Sequence, residues 1–296
     1  MHRLMLFLAA IFISFPYPAS SAGAGDSLYL GQEPSGATPV IFAPGAVSTE
    51  ESTEYCMAFT PDGREFYFSR GGTGVMRCVL AESAWTGPEP APFGEKYPGG
   101  EVHISRDGER LFMNRFRGLA EGEVGGVYML TKKDGAWGNP RLLVENGMRA
   151  TTTAAGELYT TDITWFRNKQ EGKDTGVIAR FVPFDAEYRR IADPGGGINT
   201  EYEEAHPFIA PDGSYIIFNS SRPGGKGKGD LYACYKKKDG SWSEAVNLAP
   251  LNTAEADWCA TVSPDGQYLF FTRNITGKGD IYWVDAGIIE EMRPQE

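Results

Sequence analysis

Short alternating runs of apolar and polar residues, each opened by a glycine-containing turn, recur along this chain. Five segments share the order of a turn followed by an aromatic strand, and they start at Pro61, Arg106, Ala154, Pro211 and Pro264. The turn glycines (Gly63, Gly108, Gly156, Gly213 and Gly266) are therefore 45, 48, 57 and 53 residues apart. Four copies are close, and the one from Ala154 is degenerate. A repeat of this length is typical of a four-stranded β-propeller blade.

The copy that starts near Asn199 shows how one repeat divides into strands. Its apolar and aromatic runs predict strands at Ala205–Ala210, Ser214–Asn219, Asp230–Tyr235 and Trp242–Leu248. Pro-Asp-Gly turns join the first two strands, because glycine tolerates the positive φ of a tight hairpin. Equivalent third and fourth strands recur in the two earlier copies, at Val75–Leu80 with Trp85–Phe93 and at Val127–Thr131 with Trp137–Val144. Few helical periods occur, so the class is all-β.

The two ends of the repeated region predict how the propeller closes. After the last turn the chain offers Gly279–Val284 as a third strand, but no tryptophan-led fourth strand follows. Near the other end, Thr38–Gly45 resembles Ala245–Pro250, which lies in a fourth-strand position. We therefore expect the amino-terminal strand to complete the last blade and to remove two exposed sheet edges. Five blades result, with six as the alternative if the long third repeat hides another.

The first residues have the pattern of a secretory signal peptide. A basic start, Met1-His2-Arg3, precedes an apolar run from Leu4 to Phe15 and a stretch of small, turn-forming residues. The apolar run is shorter than the roughly 20 residues that span a bilayer, which disfavours a membrane anchor. We predict a signal peptide at residues 1–22 (cleavage at 24 is the alternative), a propeller domain at 27–285 and a carboxy-terminal tail at 286–296. The protein is then periplasmic or secreted, without a lipid anchor, since no cysteine lies near the cleavage site.

The charge of the chain limits its partners. The formal net charge is −11, and removal of the predicted signal peptide takes away Arg3 and no acid, which leaves 27 − 39 = −12. Nucleic-acid phosphates and anionic lipids both need a basic surface, so we expect no nucleic acid partner and no binding to anionic lipid. No apolar run beyond the predicted signal peptide approaches spanning length, so we also expect no membrane insertion. A strongly acidic surface mainly favours solubility, and we expect a monomer.

Four cysteines occupy two columns of the repeat. Cys56 and Cys259 are equivalent positions in the first and last copies, and Cys78 and Cys234 share another column. An oxidising compartment permits disulfides, and four cysteines allow three pairings. Four in a chain of this length do not make a disulfide scaffold, so buried thiols inside strands are the favoured interpretation.

The repeat resembles the WD40-like PD40 repeats of TolB-type bacterial propellers. The resemblance is carried by the turn and strand PDGSYIIF from Pro211, followed by RPGGKGKGDLY from Arg222. Residues 204–235 hold the fullest version and Pro264–Tyr282 a shorter one, whereas Arg106 replaces the proline of the second copy. The resemblance implies an exported propeller that acts as a binding platform. The helical domain that accompanies the propeller in TolB has no counterpart here.

Candidate site residues emerge when the five innermost strands, which line the channel of a propeller, are aligned on their glycines. One column holds Cys56, Glu101, Arg149, His206 and Cys259, and the next column on the same face holds Ala58, His103, Thr151, Phe208 and Thr261. Two residues before the first column lie Glu54, Gly99, Gly147, Glu204 and Asp257. From these columns we predict a polar ligand site at the channel mouth, made of Glu54, Glu101, His103, Arg149, Glu204, His206 and Asp257. The alternative is a water-filled channel whose acids accept backbone hydrogen bonds at turns.

Two classes of function remain open. The sequence has no G-x-S-x-G, no H-E-x-x-H and no zinc-type Cys/His spacing, so we expect no metal and no cofactor. The glycine-rich segment Gly224–Gly229 lacks the GK[ST] of a phosphate loop and is interpreted as a strand connection. The favoured function is a non-catalytic binding or scaffold module for a protein, peptide or saccharide. The alternative is a carbohydrate-active enzyme that pairs Glu101 with another channel acid.

Overall fold

The computed structural model describes residues 28–164, 176–185, 187–191 and 194–295. Within them the chain forms five antiparallel sheets that follow one another around a ring. The predicted all-β propeller of five four-stranded blades is confirmed, and the third repeat makes one blade. The predicted signal peptide lies outside the described residues. No helix of the described ranges is both long and apolar enough to cross a membrane.

Each blade runs outward from an innermost strand at the channel. The first blade consists of β2 (Glu54–Phe59), β3 (Glu65–Arg70), β4 (Gly74–Ala81), β5 (Ala84–Trp85) and β6 (Glu89–Pro90). The second consists of β7 (Gly100–Ile104), β8 (Arg110–Arg115), β9 (Gly126–Lys133), β10 (Ala136–Trp137) and β11 (Arg141–Glu145). In both, the outer position is divided between two short strands that pair with the third strand.

The next two blades have four strands each. The third consists of β12 (Gly147–Thr152), β13 (Leu158–Asp162), β14 (Val177–Phe184) and β15 (Glu187–Arg190). The fourth consists of β16 (Glu204–Ile209), β17 (Tyr215–Ser220), β18 (Asp230–Tyr235) and β19 (Val246–Asn247). The glycine-rich segment before β18 connects two strands, as predicted.

The fifth blade is built from both ends of the chain. Its strands are β20 (Ala256–Val262), β21 (Tyr268–Ile275), β22 (Lys278–Asp285) and, on the outside, β1 (Val40–Ile41), which pairs antiparallel with β22. Phe42 follows β1, is fully buried and packs its ring on Phe66, Phe270 and Trp283. Closure by the amino-terminal strand is therefore confirmed.

Two short helical elements flank the closing blade. A 3₁₀ turn, Tyr29–Gly31, lies before β1. The helix α1 (Gly287–Glu291) lies in the segment predicted as a tail, and it packs against the propeller. Its Ile289 is buried, and the carbonyl of Ile289 accepts a hydrogen bond of 2.6 Å from the Tyr235 hydroxyl.

The hydrophobic core lies between blades. Five clusters of buried side chains each join the strands of two neighbouring blades. The recurrent tryptophans contribute to them: Trp242 is buried in the cluster between the third and fourth blades, and Trp137 packs between the first and second. Burial of apolar surface at about 25 cal/mol per Å² thus holds each blade to the next and fixes the channel in the middle.

Candidate functional site

The innermost strands β2, β7, β12, β16 and β20 all run in the same direction around the channel. Each strand begins at one end of the channel, which we call the clamp end after the contacts described below, and finishes at the Pro-Asp-Gly-type turns, which we call the turn end. Between them each strand has a bulge, where one residue is at positive φ. These residues are Cys56, Glu101, Arg149, His206 and Cys259, at φ 41°, 54°, 48°, 50° and 54°. The first predicted column is thus the ring of bulge residues.

Three of the five bulges donate a backbone hydrogen bond to a hydroxyl of the preceding blade. The backbone N–H of Cys56 donates to Thr272 Oγ1 at 3.2 Å, that of Glu101 to Ser69 Oγ at 2.8 Å and that of His206 to Thr161 Oγ1 at 2.8 Å. A left-handed conformation costs a residue with a side chain roughly 1–2 kcal/mol, so these bonds help to hold a strained ring. In the sheets, Ser69, Thr161 and Thr272 each pair with the residue just before the bulge of their own blade. In the sequence Thr161 lies five residues after its turn glycine and the other two lie six, so an alignment on the glycines does not bring the three hydroxyls together.

A disulfide closes this ring. Cys56 and Cys259 are bonded, with their Cα atoms 5.4 Å apart, so the first and last blades are covalently joined. Cys78 and Cys234 are buried free thiols, and burial raises the pKa of each to about 12. The interpretation of all four as buried thiols is therefore correct for one column and wrong for the other. Circular closure brings the first repeat next to the last, which is why equivalent positions in those two repeats meet.

Three polar residues of the same ring lie close together. His206 Nε2 lies 3.7 Å from Glu101 Oε1, and its Nδ1 is 2.8 Å from Asn219 Oδ1. Arg149 is fully buried and donates from Nη1 to the Val102 carbonyl at 2.7 Å. Burial lowers the pKa of Arg149 to about 10, against the opposing effect of Glu101. The structure thus gathers Glu101, Arg149 and His206 at the middle of the channel.

The three remaining predicted acids lie at the clamp end and are fully buried. Asp257 shows the arrangement: Oδ1 receives Arg273 Nε at 2.7 Å, and Oδ2 receives the backbone N–H and Oγ1 of Thr253 at 2.7 and 2.9 Å. Arg273 also donates to the Leu251 carbonyl. Glu54 likewise receives Arg70 Nε and both donors of Thr49. Glu204 receives both donors of Thr200, but Arg222 donates through Nη2 and the Ser220 hydroxyl donates as well.

We call these three groups the Thr–acid–Arg clamps. In each, the carboxylate ties the loop that leads into a blade to the second strand of that blade or to the residues just after it. The predicted columns did not include the arginines, although the arginines lie near the ends of the second strands in the sequence. Both oxygens of each of the three carboxylates accept hydrogen bonds, and the side chains are fully buried, so these acids hold parts of the blades together.

A cavity lies at the turn end. It has a volume of about 420 Å³, and residues of all five blades reach it. Ala58, His103, Thr152, Phe208 and Thr261 line it from the inner strands, and Arg106, Pro211 and Pro264 from the turns. Four of these belong to the second predicted column, but of the seven predicted site residues only His103 is among the lining residues. Thr151 instead bonds the neighbouring strand, donating to the Pro207 carbonyl at 3.0 Å.

His103 is a neutral imidazole at the cavity wall. Its Nε2 accepts the backbone N–H of Thr152 at 3.1 Å, which places the ring proton on Nδ1. Burial, reinforced by the positive charge of Arg149, lowers the pKa of His103 to about 3. The ring therefore presents a donor without a charge at neutral pH.

Hydrogen bonds within each turn hold the rim of the cavity. Asp265 Oδ1 accepts from Ser263 Oγ at 2.7 Å and from the backbone N–H of Gln267 at 3.1 Å. Asp62 accepts the equivalent bonds from the Thr60 hydroxyl and the Arg64 backbone N–H. Desolvation alone would raise the pKa of Asp62 and Asp265, but these hydrogen bonds outweigh it and lower the pKa of both carboxyls. A preformed rim of this kind, around a concave cavity of mixed polarity, is typical of a small-ligand or peptide-end site.

No family model matches this sequence, and no curated protein does. Solved structures similar to it include TolB from Acinetobacter baumannii, with 15% identity, a TM-score of 0.47 and coverage of 80% of this chain and 55% of that one. The tricorn protease has 12% identity and a TM-score of 0.47, over 83% of this chain and 27% of that chain. A gluconolactonase from Xanthomonas campestris has 13% identity and a TM-score of 0.42, over 85% of this chain and 96% of that chain. This chain therefore spans about half of the TolB chain, and the similar structures include enzymes as well as TolB.

Proposed function

We propose that this protein is an exported, non-catalytic binding propeller of the PD40 type, and that its ligand binds in the turn-end cavity. The observation that carries the proposal is the cavity itself, an open space of about 420 Å³ framed by the strand ends and turns of the blades. Export is supported by the amino-terminal pattern and by the disulfide that joins the first and last blades.

The contacts of the acids argue against the glycoside hydrolase alternative. Hydrolysis requires two carboxyls about 5–9.5 Å apart in an open site. Glu54, Glu204 and Asp257 are fully buried and bonded to arginines, so none of them is open to a sugar. Glu101 is thereby left without a second acid from the predicted set. A protein, peptide or saccharide that inserts one end into the cavity fits the geometry better.

A peptide and glycan array, probed with the purified protein, tests the proposal. Thr261→Phe adds a ring inside the cavity, and we expect it to weaken binding of each hit about tenfold or more, equivalent to roughly 1.4 kcal/mol. Glu101→Gln, in the middle of the channel, is the matched control and should leave binding unchanged. Binding that survives Thr261→Phe would refute the cavity as the site, and turnover of a hit that Glu101→Gln abolishes would support the enzyme instead.

A further inference from the structure

Arg106 stands where three other repeats have proline. The matching turn positions are Pro61, Pro211 and Pro264, which have no side-chain donor. Arg106 Nη1 donates a hydrogen bond of 2.7 Å to the carbonyl of Pro264. Arg106 belongs to the second blade and Pro264 to the fifth, and the first blade lies between them in the ring. Both residues line the turn-end cavity, so this bond bridges its mouth.

The side chain of Arg106 retains most of its donors. A guanidinium has five N–H groups, and Arg106 uses one of them in a hydrogen bond within the described ranges. It is exposed, and the ion pairs of the described residues do not include it. His103 lines the same cavity, and its ring proton is on Nδ1 because Nε2 accepts the backbone N–H of Thr152. The second blade therefore places two donors, one charged, along the path into the cavity.

The acids around the mouth are already engaged. Asp265 Oδ2 accepts the Tyr29 hydroxyl at 2.5 Å, and Glu290 receives two hydrogen bonds from Arg293, at 2.7 and 2.8 Å. Asp212 accepts the backbone N–H of Ser214 at 2.9 Å. Each of these acids thus accepts hydrogen bonds within the protein, whereas Arg106 keeps N–H donors without an acceptor in the described ranges. A ligand that satisfies these donors must bring acceptor oxygens.

We propose that Arg106 is the specificity residue of the cavity and that it selects ligands bearing a carboxylate or a similar anionic oxygen group. The inference rests on the proposed function and adds the ligand class. The incoming anion replaces the Pro264 carbonyl as the acceptor, and an ionised acceptor bonds a guanidinium more strongly than a neutral carbonyl does. When the ligand oxygen replaces the Pro264 carbonyl, the hydrogen bond across the mouth breaks, but the Arg106 guanidinium keeps an acceptor.

A cysteine placed in the cavity tests the charge preference without a known ligand. Val262 lines the cavity and is half-buried, and Val262→Cys provides a thiol of similar volume. The probes are two methanethiosulfonates of similar size, one carrying an ethyl sulfonate and the other an ethyl trimethylammonium group. Cys78 and Cys234 are buried and provide a low background. The measured quantity is the ratio of the anionic to the cationic modification rate.

We expect Arg106→Pro, which installs the residue used by the other turns, to lower this ratio about threefold or more, because one positive charge leaves the path. Arg106→Lys should retain most of the ratio. Arg64→Gln removes an arginine that bonds the Leu80 carbonyl away from the cavity, and it should leave the ratio unchanged. Arg106→Gln provides the same test if the proline variant folds poorly.

Two results would overturn the proposal in different ways. If both reagents react equally faster with the Arg106→Pro protein, Arg106 merely obstructs the mouth and selects no charge. In that case the cavity remains a binding site and only the ligand class is wrong. If neither reagent modifies the introduced thiol in any folded variant, although the unfolded protein reacts, the cavity is closed to solutes and the proposed function fails with it.

Discussion

The two ends of the channel use polar residues in opposite ways. At the clamp end, Asp257 is fully buried, and Arg273 and Thr253 supply its hydrogen bonds. At the turn end, Arg106 is exposed with one hydrogen bond, and His103 holds an uncharged donor at the wall of an open cavity. Both ends look polar in sequence. The difference teaches that a charged residue marks a binding site only when its bonding capacity remains unused within the fold.

Breaking a clamp should produce the largest effect on stability. Arg273→Ala leaves the Asp257 carboxylate buried without its cation, and removal of one partner of a buried ion pair costs about 3–5 kcal/mol. We expect the free energy of unfolding, measured by urea denaturation, to fall by that amount. Arg106→Ala is the control at the turn end and should cost no more than about 0.5 kcal/mol, since an exposed side chain is removed. Equal losses in the two variants would contradict the distinction between the ends.

A second prediction concerns the turn end, where protonation of His103 should lower the free energy of unfolding in acid. Its pKa is lowered to about 3 by burial and by Arg149, whereas the unfolded chain has the ordinary value of about 6.5. Between these values the unfolded state binds the extra proton, so stability is lost as the pH falls below about 6.5. The slope contributed by one proton is at most about 1.4 kcal/mol per pH unit.

The measurement is the unfolding free energy of wild type and His103→Gln between pH 7 and pH 4. Glutamine can still accept the Thr152 N–H but cannot be protonated, so the variant should lose less stability on acidification. Parallel pH profiles for the two proteins would show that His103 is not desolvated as described.

Much of the fold follows from the repeat, because the turn and strand pattern recurs at a nearly constant length. The Thr38–Gly45 resemblance to Ala245–Pro250 was enough to place the closing strand. The clamps were harder to predict, since the columns of Glu54, Glu204 and Asp257 do not reveal which arginine each acid meets. Their partners lie at least 16 residues further along the chain, and only the pairing of the hairpin strands brings them together.

The cavity could not be predicted from the sequence, for a different reason. Ala58, Phe208 and Thr261 are ordinary strand residues, and what makes them a site is the space left where the strands end. The bulges are equally hidden, because residues such as Glu101 and Arg149 rarely adopt positive φ. One signal was present: Arg106 interrupts a run of prolines at the same turn position.

The most direct test of the account is a crystal structure of the protein with the strongest ligand from the array. We predict that the ligand occupies the turn-end cavity, within hydrogen-bond distance of His103 Nδ1, and that Arg106 has exchanged the Pro264 carbonyl for a ligand oxygen. A ligand bound instead at the clamp end, with Glu54, Glu204 or Asp257 released from its arginine, would contradict the assignment of structural and binding roles to the two ends.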